Sequence, residues 1–362
     1  MSPTDDRLRC LDDRLGEAAL DPSRWGAVLT EVSNLVGGDG AMLLQSHRRT
    51  PGIPCTPDVD ALVAGYFGQG WHVKDLRTRA VPRVMRGEVV TDHDILTHEE
   101  MARAPFYNDL LRPHGYHWFA VAGFRAGPEH WAVSVQRRTR RGPFEAAQVQ
   151  PLAGLMGRLG QAAALSEALG RAALDGTLRG LDQVAQAALA LDGAGRVIGA
   201  NPRAEALFDA AFRVADGALR IADPRARDEV AALVEALAPG RPPLASPILV
   251  RRRDRRPLVL RILPLAEPVR SPFLGARALL LASDLEAERR PDPALLTQVF
   301  GLTTAEARLA ALLAGGAALD EAATALGIAV ETARSQIKAV FAKTGTSRQG
   351  ALVALLGAPG LR

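Results

Sequence analysis

Arg334, Ser335 and Lys338 lie along a stretch whose other positions, Val330, Ala333, Ile337, Val340 and Phe341, are apolar. At helical spacing the apolar residues share one face, while the polar and cationic ones, with Gln336 beside them, point elsewhere. Guanidinium, ammonium and hydroxyl groups presented together are chemistry for hydrogen bonding to phosphates and base edges. Lysine makes this stretch unusual. The chain has only Lys74, Lys338 and Lys343, and two of the three fall here.

Other residues with chemical potential cluster early. All four tryptophans, all three tyrosines and all seven histidines precede residue 132. Tyr66, Trp71, Asp75, Tyr107 and Trp118 are the candidates for a ligand pocket, with aromatic walls and one carboxylate suited to a small amphipathic molecule. Asp92, His93, Asp94, His98, Glu99 and Glu100 are metal-ligand types, but Thr97 and Glu100 form a capping box that explains the acids as a helix start. His114 and His117 lack a third ligand, so no metal site is expected. No nucleophile elbow, Walker loop, HExxH or paired carboxylates occur, and the chain reads as a non-enzyme. Cys10 and Cys55 have no CxxC spacing, which favours a reducing cytosol.

These groups need elements to hold them. Thr303 and Glu306 form a second capping box, so a helix starts at Thr304 and continues through Leu309, Leu312 and Leu313 until Gly315 and Gly316. A second helix, 320–326, stops at Gly327, and the cationic helix begins near Val330. Two helices joined by a tight glycine turn, the second polar and basic, form a helix-turn-helix pattern. Leu302, Thr303, Glu306, Gly316, Glu321, Ala323, Leu326, Thr332, Lys343, Gly345 and Arg348 also resemble, in type and spacing, the LuxR-type or FixJ-type DNA-binding domain of bacterial regulators. That resemblance covers nearly all of 302–356. It implies that Arg334, Ser335 and Lys338 lie nearest the bases, and that Thr332, Gln336, Lys343 and Arg348 touch backbone or flanking positions. The sequence departs from the pattern at Ala329, where a capping Ser is usual, and at Ala333, Gln336, Thr344 and Thr346. Losing the cap costs about 1 kcal/mol.

In the middle, the apolar run 188–191 meets Asp192, Gly193, Ala194 and Gly195, which read as a hairpin turn before Val197 and Ile198. Asn201 then precedes Pro202, the preferred pair for a helix start. This Asp-x-x-Gly-x-Val-x-x-x-Asn spacing resembles the start of a PAS domain, a sensory or dimerising module. No histidine or cysteine lies in it, which excludes a His-ligated haem or a cysteinyl flavin adduct, and no cofactor is expected. The arginines 251, 252, 253, 255 and 256 read as a solvated hairpin tip. The order of helices and strands in the first 145 residues resembles a GAF-type sensor or the ligand domain of acyl-homoserine-lactone regulators. The order Tyr66, Trp71, Asp75, Leu76 departs from the Trp, Tyr, Asp-Pro signature of the latter.

The expected organisation is α+β and multidomain. GAF-like and PAS-like antiparallel sheets flanked by helices precede an all-α four-helix LuxR-type helix-turn-helix. The segments are 1–145 as a GAF-like sensory domain and 146–178 as a connecting helix and candidate dimer seam. Then come 179–288 as the PAS-like domain, 289–301 as a linker, and 302–362 as the DNA-binding domain. The net charge of +4 on 362 residues is mild, and a pI of about 9.5 fits work beside a polyanion. No apolar stretch reaches the roughly twenty residues that span a bilayer, and no signal core opens the chain, so a cytoplasmic location and no membrane partner are expected. The expected partners are double-stranded operator DNA, a small-molecule effector, a second copy in a homodimer, and RNA polymerase. A sensory adaptor whose terminal bundle binds a protein remains the alternative.

Overall fold

The computed structural model describes residues 3–45, 53–235, 246–253, 255–265, 271–286 and 290–357, with the side chains of 3–10 left aside. The thiol of Cys10 and the expected domain ends at 287–289 and 358–362 therefore lie outside the described residues. The chain divides into two compact units, Met1–Arg253 with Pro257–Ser283, and Asp254–Arg256 with Asp284–Arg362. The fold is mixed, with helices flanking antiparallel sheets.

In the first unit, strands β1 (Gly40–Gln45), β2 (Val90–Thr91), β3 (Tyr116–Ala126) and β4 (Glu129–Arg138) form an antiparallel sheet in the order β1-β4-β3-β2. Helices α1 (Pro3–Leu20), α2 (Trp25–Leu35), α3 (Asp60–Gly68), α4 (Val81–Val84) and α5 (His98–Arg103) surround it with several single turns. Arg137 anchors the end of α2. Its guanidinium donates to the carbonyls of Val36, Gly37 and Pro143 at 2.9–3.0 Å and lies 3.7 Å from the Phe144 ring centre. A cation suits the carbonyl end of a helix.

Helix α6 (Ala146–Gln183) is one continuous element of 38 residues, despite Pro151 inside it. Val149, Leu152, Leu155 and Leu159 sit in the core of the first sheet, whereas Leu174 and Leu178 pack with Ala188, Ala190 and Leu279 of the next. Burial on both sheets explains why the helix outruns its expected end at 178. These leucines of the candidate dimer seam are thus packed within the chain, while Leu169 stays 36% exposed. Gly160 permits the close approach to β3: a Cβ there would meet the Arg125 carbonyl oxygen at 2.8 Å.

The second sheet orders β5 (Ala187–Asp192), β6 (Val197–Ala200), β9 (Ile248–Arg252), β10 (Arg255–Pro264) and β11 (Ala276–Asp284) as β6-β5-β11-β10-β9. Helices α7 (Pro202–Glu205) and α8 (Pro224–Glu235) and the hairpin of β7 (Phe212–Ala215) with β8 (Ala218–Ile221) complete it. The expected turn is present, since Asp192 Oδ1 accepts from the Ala194 and Arg196 amides at 2.9 and 2.8 Å. Asn201 caps α7 through the Ala204 amide and also accepts from Ala188, both at 3.0 Å, so one side chain ties helix to strand. Of the arginine run, Arg251, Arg253, Arg255 and Arg256 are exposed, as a solvated tip requires, and Arg252 departs from that reading. The Arg252 side chain is buried and ion-paired to Asp209 at 3.7 Å, and Arg255 pairs with Asp284 and Glu286 at 3.3 and 2.9 Å. Strand alternation turns every second residue inward, and charge pairing lets an arginine occupy such a position. Phe273, just before β11, packs edge-on against Trp25 at 4.7 Å and Trp131 at 5.0 Å in the core of the first sheet.

The second unit contains α9 (Pro293–Phe300), α10 (Thr304–Ala314), α11 (Leu319–Leu326), α12 (Val330–Thr344) and α13 (Gln349–Leu356). Four of these were expected. The fifth, α9, occupies the stretch read as a linker, because Leu296 is fully buried against Leu302, Ala307 and Leu356. Among the described residues, no helix is long and apolar enough to cross a membrane.

Candidate nucleic-acid interface and ligand cavity

Helix α12 is held from one side. Ala333, Ile337 and Val340 are buried against Leu309, Leu313, Ala323 and Leu352, as their spacing requires. Glycines close both helices of the pair: Gly327 ends α11 at φ +67° and Gly345 ends α12 at φ +67°, the left-handed conformation that glycine adopts without strain. Ala329 is the N-cap and contributes no side-chain hydrogen bond, as its type requires.

The opposite face carries Thr332, Arg334, Ser335 and Lys338, all exposed. Arg334 donates to Glu331 at 2.6 Å, and the Ser335 hydroxyl donates to the Glu331 carbonyl at 3.1 Å. Among the described residues no carboxylate stands against Lys338. Gln336 is half-buried, its side-chain carbonyl oxygen without a hydrogen-bond partner. Arg348 is exposed and precedes α13. Thr344 and Thr346, polar where the resembled pattern has Leu and Val, satisfy each other at 2.9 Å.

Lys343 differs from its neighbours. Its ammonium donates at 2.7 Å to Glu306, the acid of the α10 capping box, whose side chain is only 11% exposed. The Lys343 hydrogen bond and then the Thr303 amide hold the Glu306 carboxyl below its ordinary 4.5. A depressed carboxylate contributes stability fully above its unfolded pKa and loses it as pH falls through the folded value. Lys343→Ala is therefore expected to cost the bundle about 1 kcal/mol at neutral pH. It should also flatten the loss of stability below pH 4.5, as acid titration followed by helical circular dichroism would report.

The first unit holds a cavity of about 70 Å³, lined chiefly by Leu62, Val63, Val84, Leu110, Phe119 and Val121. One water needs roughly 10–15 Å³, so the space suits several waters or one compact small molecule. Its polar edge is Tyr66, Asp75, Arg77, Ser134 and Gln136. Tyr66 donates to Asp75 Oδ2 at 2.9 Å, and Asp75 Oδ1 caps the next turn through the Arg77 amide.

Arg77 organises the wall behind. Its guanidinium donates to Gln136 at 2.9 Å, to the His117 carbonyl at 2.7 Å, to Asp92 at 3.2 Å and to the Tyr107 hydroxyl at 3.3 Å. Burial works against its charge, and Asp92, Tyr107 and Asp75 more than offset that, so its pKa rises. Burial likewise pushes the Tyr107 hydroxyl up and holds the half-buried His117 imidazole below its usual range. Ser134 accepts from Gln136 at 2.8 Å, which leaves its own hydroxyl hydrogen to give.

Of the five residues expected at a pocket, Tyr66 and Asp75 line this cavity. Tyr107 stands behind it on Asp92 and Arg77. Trp71 donates to Gln69 at 2.9 Å, and Trp118 packs among His93, His98 and His117, so neither reaches the cavity. Arg77, Ser134 and Gln136 escaped sequence reasoning because no short spacing links them. Asp92 opens the short helical turn Asp92–Asp94, in keeping with the reading of its cluster as helix-start acids, but its carboxylate is buried on Arg77, Tyr107 and the Phe119 amide. Asp94 and Glu100 do cap short helices, while Asp92 is buried beneath them. Cys55, half-buried beside Asp60, has its thiol pushed up to about 11, chiefly by burial, which makes it a poor nucleophile. Among the described residues no cluster of three or more His, Cys, Asp or Glu is arranged to hold a metal.

No family model and no curated protein matches the sequence. Among solved structures, the ligand-binding domain of VqsR from Pseudomonas aeruginosa aligns at 16% identity over 43% of this chain and 92% of that chain, with a TM-score of 0.33. A phage VqmA–DPO complex aligns at 18% identity over 53% and 91%, with a TM-score of 0.23. The VqmA dimer of Vibrio cholerae, described as a LuxR-type receptor, aligns at 16% over 50% and 88%, with a TM-score of 0.19. These likenesses are too distant to carry an argument about what this chain does.

Proposed function

We propose that this protein is a bacterial transcription regulator that reads operator DNA as a dimer and senses a small cytosolic molecule. In this reading α11 and α12 are a LuxR-type helix-turn-helix, the first sheet is a GAF-like sensor, and the second is a PAS-like relay or dimerising module. The observation that carries it is α12 itself, with a buried apolar face and an exposed face bearing Arg334, Ser335 and Lys338. Such a helix fits the major groove, with its N-terminal residues toward the bases. Thr332, Lys343 and Arg348 serve backbone or flanking positions. The test is fluorescence anisotropy of the full chain on DNA upstream of its own gene, beside a scrambled duplex, over a salt series. Tighter binding to the native sequence, with steep salt dependence on both, supports the reading. No binding to either duplex, by the full chain or by 290–362, favours the protein-binding adaptor.

The sensing part rests on the cavity. A ligand that shifts the regulator must bind its two states with different affinity. Ala132 lines the cavity and is 6% exposed, so Ala132→Leu places a branched side chain in the space a ligand would take. The variant is expected to bind operator DNA as wild type does. It should also lose the thermal upshift that compact, mostly apolar compounds give the wild type in differential scanning fluorimetry.

A further inference from the structure

Glu331 lies on the same face of α12 as Arg334, Ser335 and Lys338, at offsets of three, four and seven residues. Its side chain is 79% exposed, and its carboxylate accepts from Arg334 Nη1 at 2.6 Å. Among the described residues no first-turn amide donates to that carboxylate, so it does not cap the helix. An anion on a face turned toward phosphates opposes binding unless a donor on the DNA meets it. In the major groove, cytosine presents the N4 amino donor with no acceptor beside it, whereas adenine adds N7, and guanine and thymine present acceptors.

We propose that Glu331 is a specificity-determining residue that selects cytosine, accepting from its N4 amino group beside the base met by Arg334. The Arg334 pair fixes the carboxylate in the plane of the stripe and partly neutralises it, and the rest of the guanidinium fork remains for the neighbouring base. The inference rests on the reading above that this face enters the groove.

The experiment is selection from a randomised duplex pool with the full-length wild type, Glu331→Gln and Glu331→Ala, followed by sequencing and anisotropy on the enriched sites. Wild type is expected to enrich cytosine at one position of each half-site. Glu331→Gln should turn that position toward adenine, which an amide meets at N6 and N7, by about tenfold, and Glu331→Ala should relax it, with other positions unchanged. Both variants change an exposed side chain, and unchanged helical circular dichroism and melting confirm that they fold. If both variants keep the wild-type consensus and simply bind every duplex more tightly, Glu331 only repels phosphates and the proposal is overturned. If wild type enriches no sequence while its variants fold, the DNA-reading function itself fails and takes this proposal with it.

Discussion

Asp92→Ala is expected to destabilise the first sheet domain by about 3–5 kcal/mol, the cost of stripping one partner from a buried ion pair. Asp92 is 2% exposed and accepts from Arg77 at 3.2 Å, from the Tyr107 hydroxyl, and from the Phe119 amide at 2.6 Å. Alanine removes the acceptor for all three at once, and the space is too enclosed for water to replace a carboxylate fully. The Arg77 guanidinium would keep Gln136 and the His117 carbonyl, both neutral, and of the two carboxylates that support its charge only Asp75 would be left. Asp92→Asn preserves shape and two of the acceptor contacts, so its cost should be smaller. Scanning calorimetry of the full chain, with amide exchange to assign the transition to β2, β3 and β4, makes the measurement. A loss under 1 kcal/mol for the alanine variant would show that the network is not what holds the cavity wall.

Replacing Arg334 and Lys338 together by alanine is expected to weaken operator binding by two orders of magnitude or more. A side chain that reads a base or holds a phosphate is worth about 1–3 kcal/mol, and Arg334 and Lys338, four residues and so about one helical turn apart on one exposed stripe, together supply a loss of that size even where neighbouring effects do not simply add. Arg334→Ala alone should relax sequence choice, whereas loss of a phosphate contact should weaken all duplexes alike and lower the salt slope by about 1. Lys343→Ala should lower the slope with little change in sequence choice if its ammonium leaves Glu306 for a phosphate on binding. The triple alanine variant at Arg334, Lys338 and Lys343 is the decisive control. Operator binding by that variant equal to wild type would sink the assignment of α12 as the reading helix.

Much of the terminal bundle was legible because its determinants are local. The Thr303–Glu306 box, the glycine stops and the two faces of α12 depend on residues three or four apart, within reach along one helix. The Asp192 turn and the Asn201 cap are local in the same way. By contrast, the eight residues of α9 carry too short a pattern to announce the burial of Leu296, so the stretch reads in sequence as a linker.

Helical spacing alone gives α12 a core side and a cationic side, and the residue order alone places every tryptophan, tyrosine and histidine before residue 132. Which of those groups meet is set by the tertiary fold. Arg77 bonds to partners 15, 30, 40 and 59 residues away, and Phe273, in the turn before β11, reaches Trp25 of α2. A helical or strand period says which way a side chain faces, not which distant side chain it faces. That pairing follows from sheet order and register, which place Gln136 of β4 beside Phe119 of β3 and turn both toward the same cavity.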